Sequence, residues 1–342
     1  MNHMHREILS APNLLETTLR ENLEPIRNLA AELLKKDSPA IHIAARGSSA
    51  NAGTYFSYLC EVEAGIPVHM LMPSVVTLYG GKLRLSDGLL LAITQGGRGG
   101  DVKYLVDAAR SQGALTAAIC NEEDSPIAQG VDILLPMKLG QEKAMAATKT
   151  FTAELLLGGM LALALAGKDP EHFAKVPQLL RGTYALEEQL TRIARSWTGV
   201  RSYCVLGRGY QLAIAREICC KLQEACFVNA APFSQADFLH GPLAMIEPGD
   251  QVIYFHREDA TGPFSRELLE RVEAAGAKVL LFTDSPEMAA RREDAVLLPE
   301  SDEILAPFAF AGACQLFACR LASEKGLDPD NSRNLSKYTV TM

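Results

Sequence analysis

Segments of this chain recur at a nearly fixed interval, and that recurrence limits the fold more than any single motif. Ile41-His42-Ile43-Ala44-Ala45-Arg46-Gly47 is a short apolar run entering an Arg-Gly turn, and Tyr203-Cys204-Val205-Leu206-Gly207-Arg208-Gly209 repeats it, with Gly47 and Gly209 standing 162 residues apart. Gly113-Ala114-Leu115-Thr116-Ala117-Ala118-Ile119 returns as Gly276-Ala277-Lys278-Val279-Leu280-Leu281-Phe282, and Asp132-Ile133-Leu134-Leu135-Pro136 as Ala295-Val296-Leu297-Leu298-Pro299, both 163 residues on. Three registers that agree to one residue predict two similar modules in tandem.

Each module reads as α/β. The first has continuous apolar runs at Ala40–Ala44, Val68–Leu71, Gly88–Ile93, Leu115–Ile119 and Ile133–Leu135; the second has them at Ser202–Leu206, Gln251–Phe255, Val279–Phe282 and Val296–Leu298. Short unbroken apolar runs suit strands covered on both faces. Helical patterns lie between them, notably Ser49–Ala64 and Val102–Gln112, the latter ending at Gly113 in the position of a C-terminal glycine cap. The alternation predicts parallel sheets with right-handed crossovers. The expected organisation is an N-terminal helical segment over 1–35, a first module over 36–170, a helical connector over 171–195 and a second module with its tail over 196–342.

The remaining bulk features narrow the class. A formal net charge of −8 over 342 residues argues against a nucleic-acid binder, which needs a basic stripe. The eight cysteines lie mostly in apolar runs without paired metal-ligand spacing, which predicts reduced buried thiols and a cytoplasmic protein. The longest apolar stretch, Leu155 to Ala166, is too short to span a bilayer, so a buried helix is expected and no membrane partner.

Ligands of open parallel sheets lie beyond the carboxyl ends of the strands. There the chain places Thr94-Gln95-Gly96-Gly97-Arg98-Gly99-Gly100-Asp101, a loop that would point consecutive N–H groups from a helix start toward an anion, with Arg98 as a bidentate partner. The plain alternative is a flexible turn. Neither a P-loop ending nor dinucleotide-type glycine spacing is present. In Arg46-Gly47-Ser48-Ser49-Ala50-Asn51, Ser48 and Ser49 can cap the following helix or meet a ligand oxygen. Lys221 and Glu224 share a helix face at three-residue spacing, as a solvated ion pair would; His240 precedes a Gly-Pro break and so belongs to a loop; Arg333 to Lys337 reads as a frayed polar tail.

Together with Glu63-Ala64-Gly65-Ile66-Pro67, Ala146-Ala147-Thr148-Lys149, Lys221-Leu222-Gln223-Glu224, Leu239-His240-Gly241-Pro242 and Arg333-Asn334-Leu335-Ser336-Lys337, these segments make a chain that resembles the sugar isomerase (SIS) family of phosphosugar-handling proteins. Within it, the resemblance runs to the isomerase half of glutamine–fructose-6-phosphate transaminase and to SIS-type glucosamine-6-phosphate deaminase. The resemblance implies two tandem SIS modules, each a flavodoxin-like three-layer sandwich. It also implies roles: Glu224 as the base moving a proton between C1 and C2, His240 in ring opening, and Lys337 at the carbonyl end. Gly47, Ser48, Ser49, Thr94, Gln95, Gly96, Gly97, Arg98, Gly99, Ala147 and Lys221 would bind the substrate, and no metal or other cofactor is implied. Aldose–ketose interconversion needs one carboxylate that takes and returns a proton beside groups that stabilise an enediolate oxygen. Because the histidine segment can serve a neighbouring subunit in such families, a homodimer with a shared active site is implied.

The sequence also departs from the family pattern. A phosphate loop that usually reads Ser-Gln-Ser-Gly, then a residue and Ser/Thr, here has Gly96 and Gly99 where hydroxyls are expected, at a cost of roughly 1.5–3 kcal/mol for each hydrogen bond lost to a dianion. Asn229-Ala230-Ala231-Pro232 replaces a His-Ala-Glu segment. The expected activity is conversion of glucosamine 6-phosphate to fructose 6-phosphate and ammonia; Ala147, usually serine in the transaminase, and a chain that starts Met-Asn-His without room for a glutaminase domain favour this over amidotransfer. The alternatives are a non-catalytic phosphosugar sensor or regulatory protein, and an isomerase or deglycase acting on another sugar phosphate.

Overall fold

The computed structural model describes residues 1–36 and 39–337 and resolves two compact units, each built on one five-stranded sheet. The first sheet comprises β1 (Ile41–Ala44), β2 (Val68–Met70), β3 (Leu89–Thr94), β4 (Leu115–Cys120) and β5 (Ile133–Pro136), with α1 (His3–Leu33), α2 (Gly47–Leu59), α3 (Ser74–Thr77), α4 (Gly100–Ser111) and α5 (Lys149–Leu165) around it. The second follows α6 (Val176–Tyr184) and α7 (Glu187–Ser196). It comprises β6 (Ser202–Gly207), β7 (Asn229–Ser234), β8 (Gln251–His256), β9 (Lys278–Thr283) and β10 (Ala295–Leu297), with α8 (Gln211–Cys226), α9 (Gln235–Leu239), α10 (Gly262–Ala274), α11 (Pro286–Ala290) and α12 (Ala306–Glu324).

Every strand pair is parallel, and both sheets have the same permutation: β2-β1-β3-β4-β5 in one and β7-β6-β8-β9-β10 in the other. This is the flavodoxin-like order. The repeat extends to the backbone, since Gly47 and Gly209 both turn with positive φ, at 53° and 57°, where a side chain would be strained. The expected two α/β modules are therefore present. The first unit comprises Ala11–Glu142, Lys149–Lys175 and the tail from Leu335; the second comprises Met1–Ser10, Lys143–Thr148 and Val176–Asn334.

β7 is the strand that the apolar-run pattern does not reveal. It reads Asn229-Ala230-Ala231-Pro232-Phe233-Ser234 and is half exposed, but it lies at the sheet edge, where Pro232 removes no ladder bond that a further strand would need. The 12-residue apolar run in α5 is a buried helix as expected: Lys149 to Leu163 are all buried, on every face. Among the described residues no helix is long and apolar enough to cross a membrane. All eight cysteines are free thiols, six of them buried, and burial pushes Cys226 and Cys319 up to about 12.

Candidate functional site

In a sheet of this order the connections leaving β1 and β3 diverge to opposite faces and open a crevice at the strands' carboxyl ends. A cavity of about 600 Å³ lies there in the first unit. Gly47 and Ser49, from the turn after β1, line it with Thr94, Gln95, Gly96, Gly97, Arg98 and Gly99, from the turn after β3, and with Lys337. Ser48 and Ala147 do not, and Ala147 lies in the second unit.

The glycine loop is held in shape from beneath. Gly97 turns at φ 61°, donates its N–H to Thr94 Oγ1 at 3.1 Å and accepts Ile127 N–H at 3.1 Å. A Cβ on Gly97 would come within 1.9 Å of Ser125 Oγ and 2.5 Å of Ser125 Cβ. Both the dihedral and the space therefore demand glycine, and Gly97→Ala should cost about 2–4 kcal/mol from left-handed strain plus overpacking. A urea-unfolding midpoint unchanged from wild type would show that the loop has slack.

Three carboxylates stand behind the cationic and hydroxyl groups of this cavity. Asp101, 1% exposed at the start of α4, takes Arg46 side-on, with its Oδ2 at 2.9 Å from Nε and 2.7 Å from Nη2. Ser49 Oγ donates to Glu154 Oε1 at 2.7 Å. Lys337 Nζ lies 3.2 Å from Glu142 Oε2, whose carboxylate also accepts the N–H and hydroxyl of Thr150 at 3.1 and 2.8 Å. Arg98 is looser: its guanidinium is half exposed, 3.7 Å from the exposed Asp124. Motif reading gives no role to Arg46 or Asp101, which stand within the two motifs, and does not reach Glu142 or Glu154. The available signal was a lone carboxylate at 154 inside an apolar helix.

In the second unit, α8 brings Lys221 and Glu224 together, but not on a solvated face. Lys221 is 1% exposed, with Nζ 3.2 Å from Glu217 Oε1 and 3.0 Å from Glu224 Oε2. Burial alone would push this amine toward neutrality; Glu217 and Glu224 overrule it and hold the amine charged, above the ordinary lysine range. Glu217, one helical turn before Lys221, was readable as an i,i+4 partner. Glu224 is 30% exposed, so its carboxylate reaches the surface while its inner edge faces the ammonium.

The tail is not frayed here. Ser332 Oγ donates to the Glu224 carbonyl at 2.8 Å, and the Arg333 guanidinium lies 4.4 Å from the Phe227 ring centroid. His240 is exposed just beyond α9, ahead of Gly241 and Pro242, the loop position expected.

The turn after β8 is the second module's counterpart of the glycine loop, and its own acids fill it. Asp259 Oδ1 accepts the Thr261 N–H at 2.8 Å, while Arg257 is buried between Asp259, at 3.1 Å, and Asp284, at 3.0 Å.

Comparison with known proteins gives the chain's family and fold. Glutamine–fructose-6-phosphate aminotransferase (isomerizing) of Thermococcus kodakarensis is 30% identical over 346 residues, covering 98% of this chain and 57% of that protein. The chain thus spans a little over half the length of the curated relatives it matches. A Silicibacter pomeroyi structure assigned provisionally as a phosphosugar isomerase is 32% identical, with TM-score 0.84, covering 96% of this chain and all of that one. Glucosamine-6-phosphate deaminase of Thermotoga maritima shares the fold at 21% identity, with TM-score 0.78, covering 99% of this chain and all of that one. The SIS domain model matches residues 33–164 and again 199–325, one match per sheet, and the chain belongs to the SIS-domain family.

Proposed function

We propose that the chain is a deaminating isomerase of amino-sugar phosphates, converting glucosamine 6-phosphate and water to fructose 6-phosphate and ammonia. The cavity of the first unit supports this most directly: N–H groups at the start of α4, two arginines and Lys337 surround a space suited to a small phosphorylated ligand. The names of the relatives point to the same substrate class. In this reading the loop from Thr94 to Gly99 and Ser49 take the phosphate.

The chemistry assigned to the second unit is a proton transfer. With the sugar ring opened by His240, the Glu224 carboxylate takes the proton from C2, leaving an enolamine, and returns it to C1. The C2 imine so formed adds water and expels ammonia to leave the ketone, which balances the reaction. Lys221 fixes the orientation of Glu224 from the buried side. The exposure of His240 supports a homodimer in which this histidine serves the sugar held by a second copy.

The test is an assay of ammonia release and ketose–aldose exchange across amino-sugar and ketose phosphates. Ammonia from glucosamine 6-phosphate is expected. Exchange without ammonia would select an isomerase of another sugar phosphate. Binding with neither would select the phosphosugar sensor, a reading that the missing hydroxyls at Gly96 and Gly99 favour.

A further inference from the structure

We propose that Arg46, held by Asp101, is the principal anion ligand of the first unit's cavity and takes over the contacts that the glycines at 96 and 99 cannot make; this rests on the sugar-phosphate reading above. The geometry of the pair carries it. Asp101 engages Arg46 through the Nε and Nη2 edge, at 2.9 and 2.7 Å on a single oxygen. Among the described residues the guanidinium meets no other partner. Nη1 and the outer hydrogen of Nη2 therefore remain as a parallel pair of donors, the arrangement that matches two oxygens of one phosphate.

Burial divides the labour. Asp101 is 1% exposed and fixed at the first turn of α4, whereas the Arg46 side chain is 52% exposed and lines the cavity. A buried carboxylate thus pins a half-exposed guanidinium that lines the ligand space, and little ordering is left to occur on binding. Arg98 lacks such a support, since its nearest carboxylate, Asp124, is itself 82% exposed and 3.7 Å away. Asp101 is accordingly a positioning residue, acting through Arg46.

The sign of the Asp101 effect separates positioning from simple electrostatics. Removing a carboxylate beside an anion site should tighten binding if its charge alone mattered, and weaken it if its role is to aim Arg46. Titration calorimetry of the full chain with fructose 6-phosphate and with inorganic phosphate reads this. Arg46→Met should raise Kd about 30-fold and Arg46→Lys, which keeps the charge but not the fork, about 5- to 10-fold. Asp101→Asn should raise it about 5- to 10-fold. The guanidinium is half in solvent, so the Arg46 variants carry the test even if Asp101→Asn fails to fold. A Kd for Arg46→Met within twofold of wild type, or tighter binding by Asp101→Asn, would overturn the proposal while leaving the sugar-phosphate reading in place. Wild-type protein that bound neither probe would overturn both.

Discussion

Glu224→Gln should lower ammonia release from glucosamine 6-phosphate by about 10²- to 10⁴-fold, the usual contribution of a general base. Glutamine keeps the shape of the side chain and can still meet Lys221, but it cannot accept the C2 proton. Binding of the sugar phosphate should stay within about threefold of wild type, because the groups assigned to the phosphate belong to the first unit and are untouched. Turnover near the wild-type rate would remove Glu224 from the proton path. An equal loss of binding and turnover would make it a binding group instead.

The largest effect on stability is expected from Lys221→Met. The ammonium is buried between two carboxylates, and its charged state survives burial only because they are there. Taking it away leaves Glu217 and Glu224 facing one another inside the unit without the cation between them. Breaking a buried ionic cluster from one side costs about 3–5 kcal/mol. Methionine fills most of the volume, so a cavity contributes little. Adding Glu217→Leu should restore part of the loss, since an apolar replacement of a buried ion pair is often neutral or better. Chemical denaturation of the single and double variants checks both statements; a single variant as stable as wild type would mean that the cluster is solvated.

These two residues show where sequence reading succeeds and where it stops. Lys221 and Glu224 were visible as helix neighbours because the spacing is local, but the burial of Lys221 was not, because α12 packs on α8 from almost a hundred residues away. The glycine loop was legible for the same local reason, as a buried strand running into a helix. Its supports were not: Arg46 finds Asp101 across 55 residues, Ser49 finds Glu154 across 105, and Lys337 finds Glu142 across 195. No periodicity encodes such pairs. β7 escaped for a different reason, since an edge strand half in solvent and carrying a proline has no continuous apolar run. The internal repeat would have located it: shifting Val68–Met70 by 162 residues falls on Ala230 to Pro232, inside that strand.

The acids in the turn after β8 bear on stoichiometry. Where the first module is proposed to meet an anion with backbone amides and a guanidinium edge, the second has its own Asp259 and Asp284 on the corresponding amide and arginine groups. Duplication here repeated the framework without repeating the open glycine turn, so on the proposed reading one sugar phosphate is expected per chain. On the same reading the second copy supplies the reactive side chains instead.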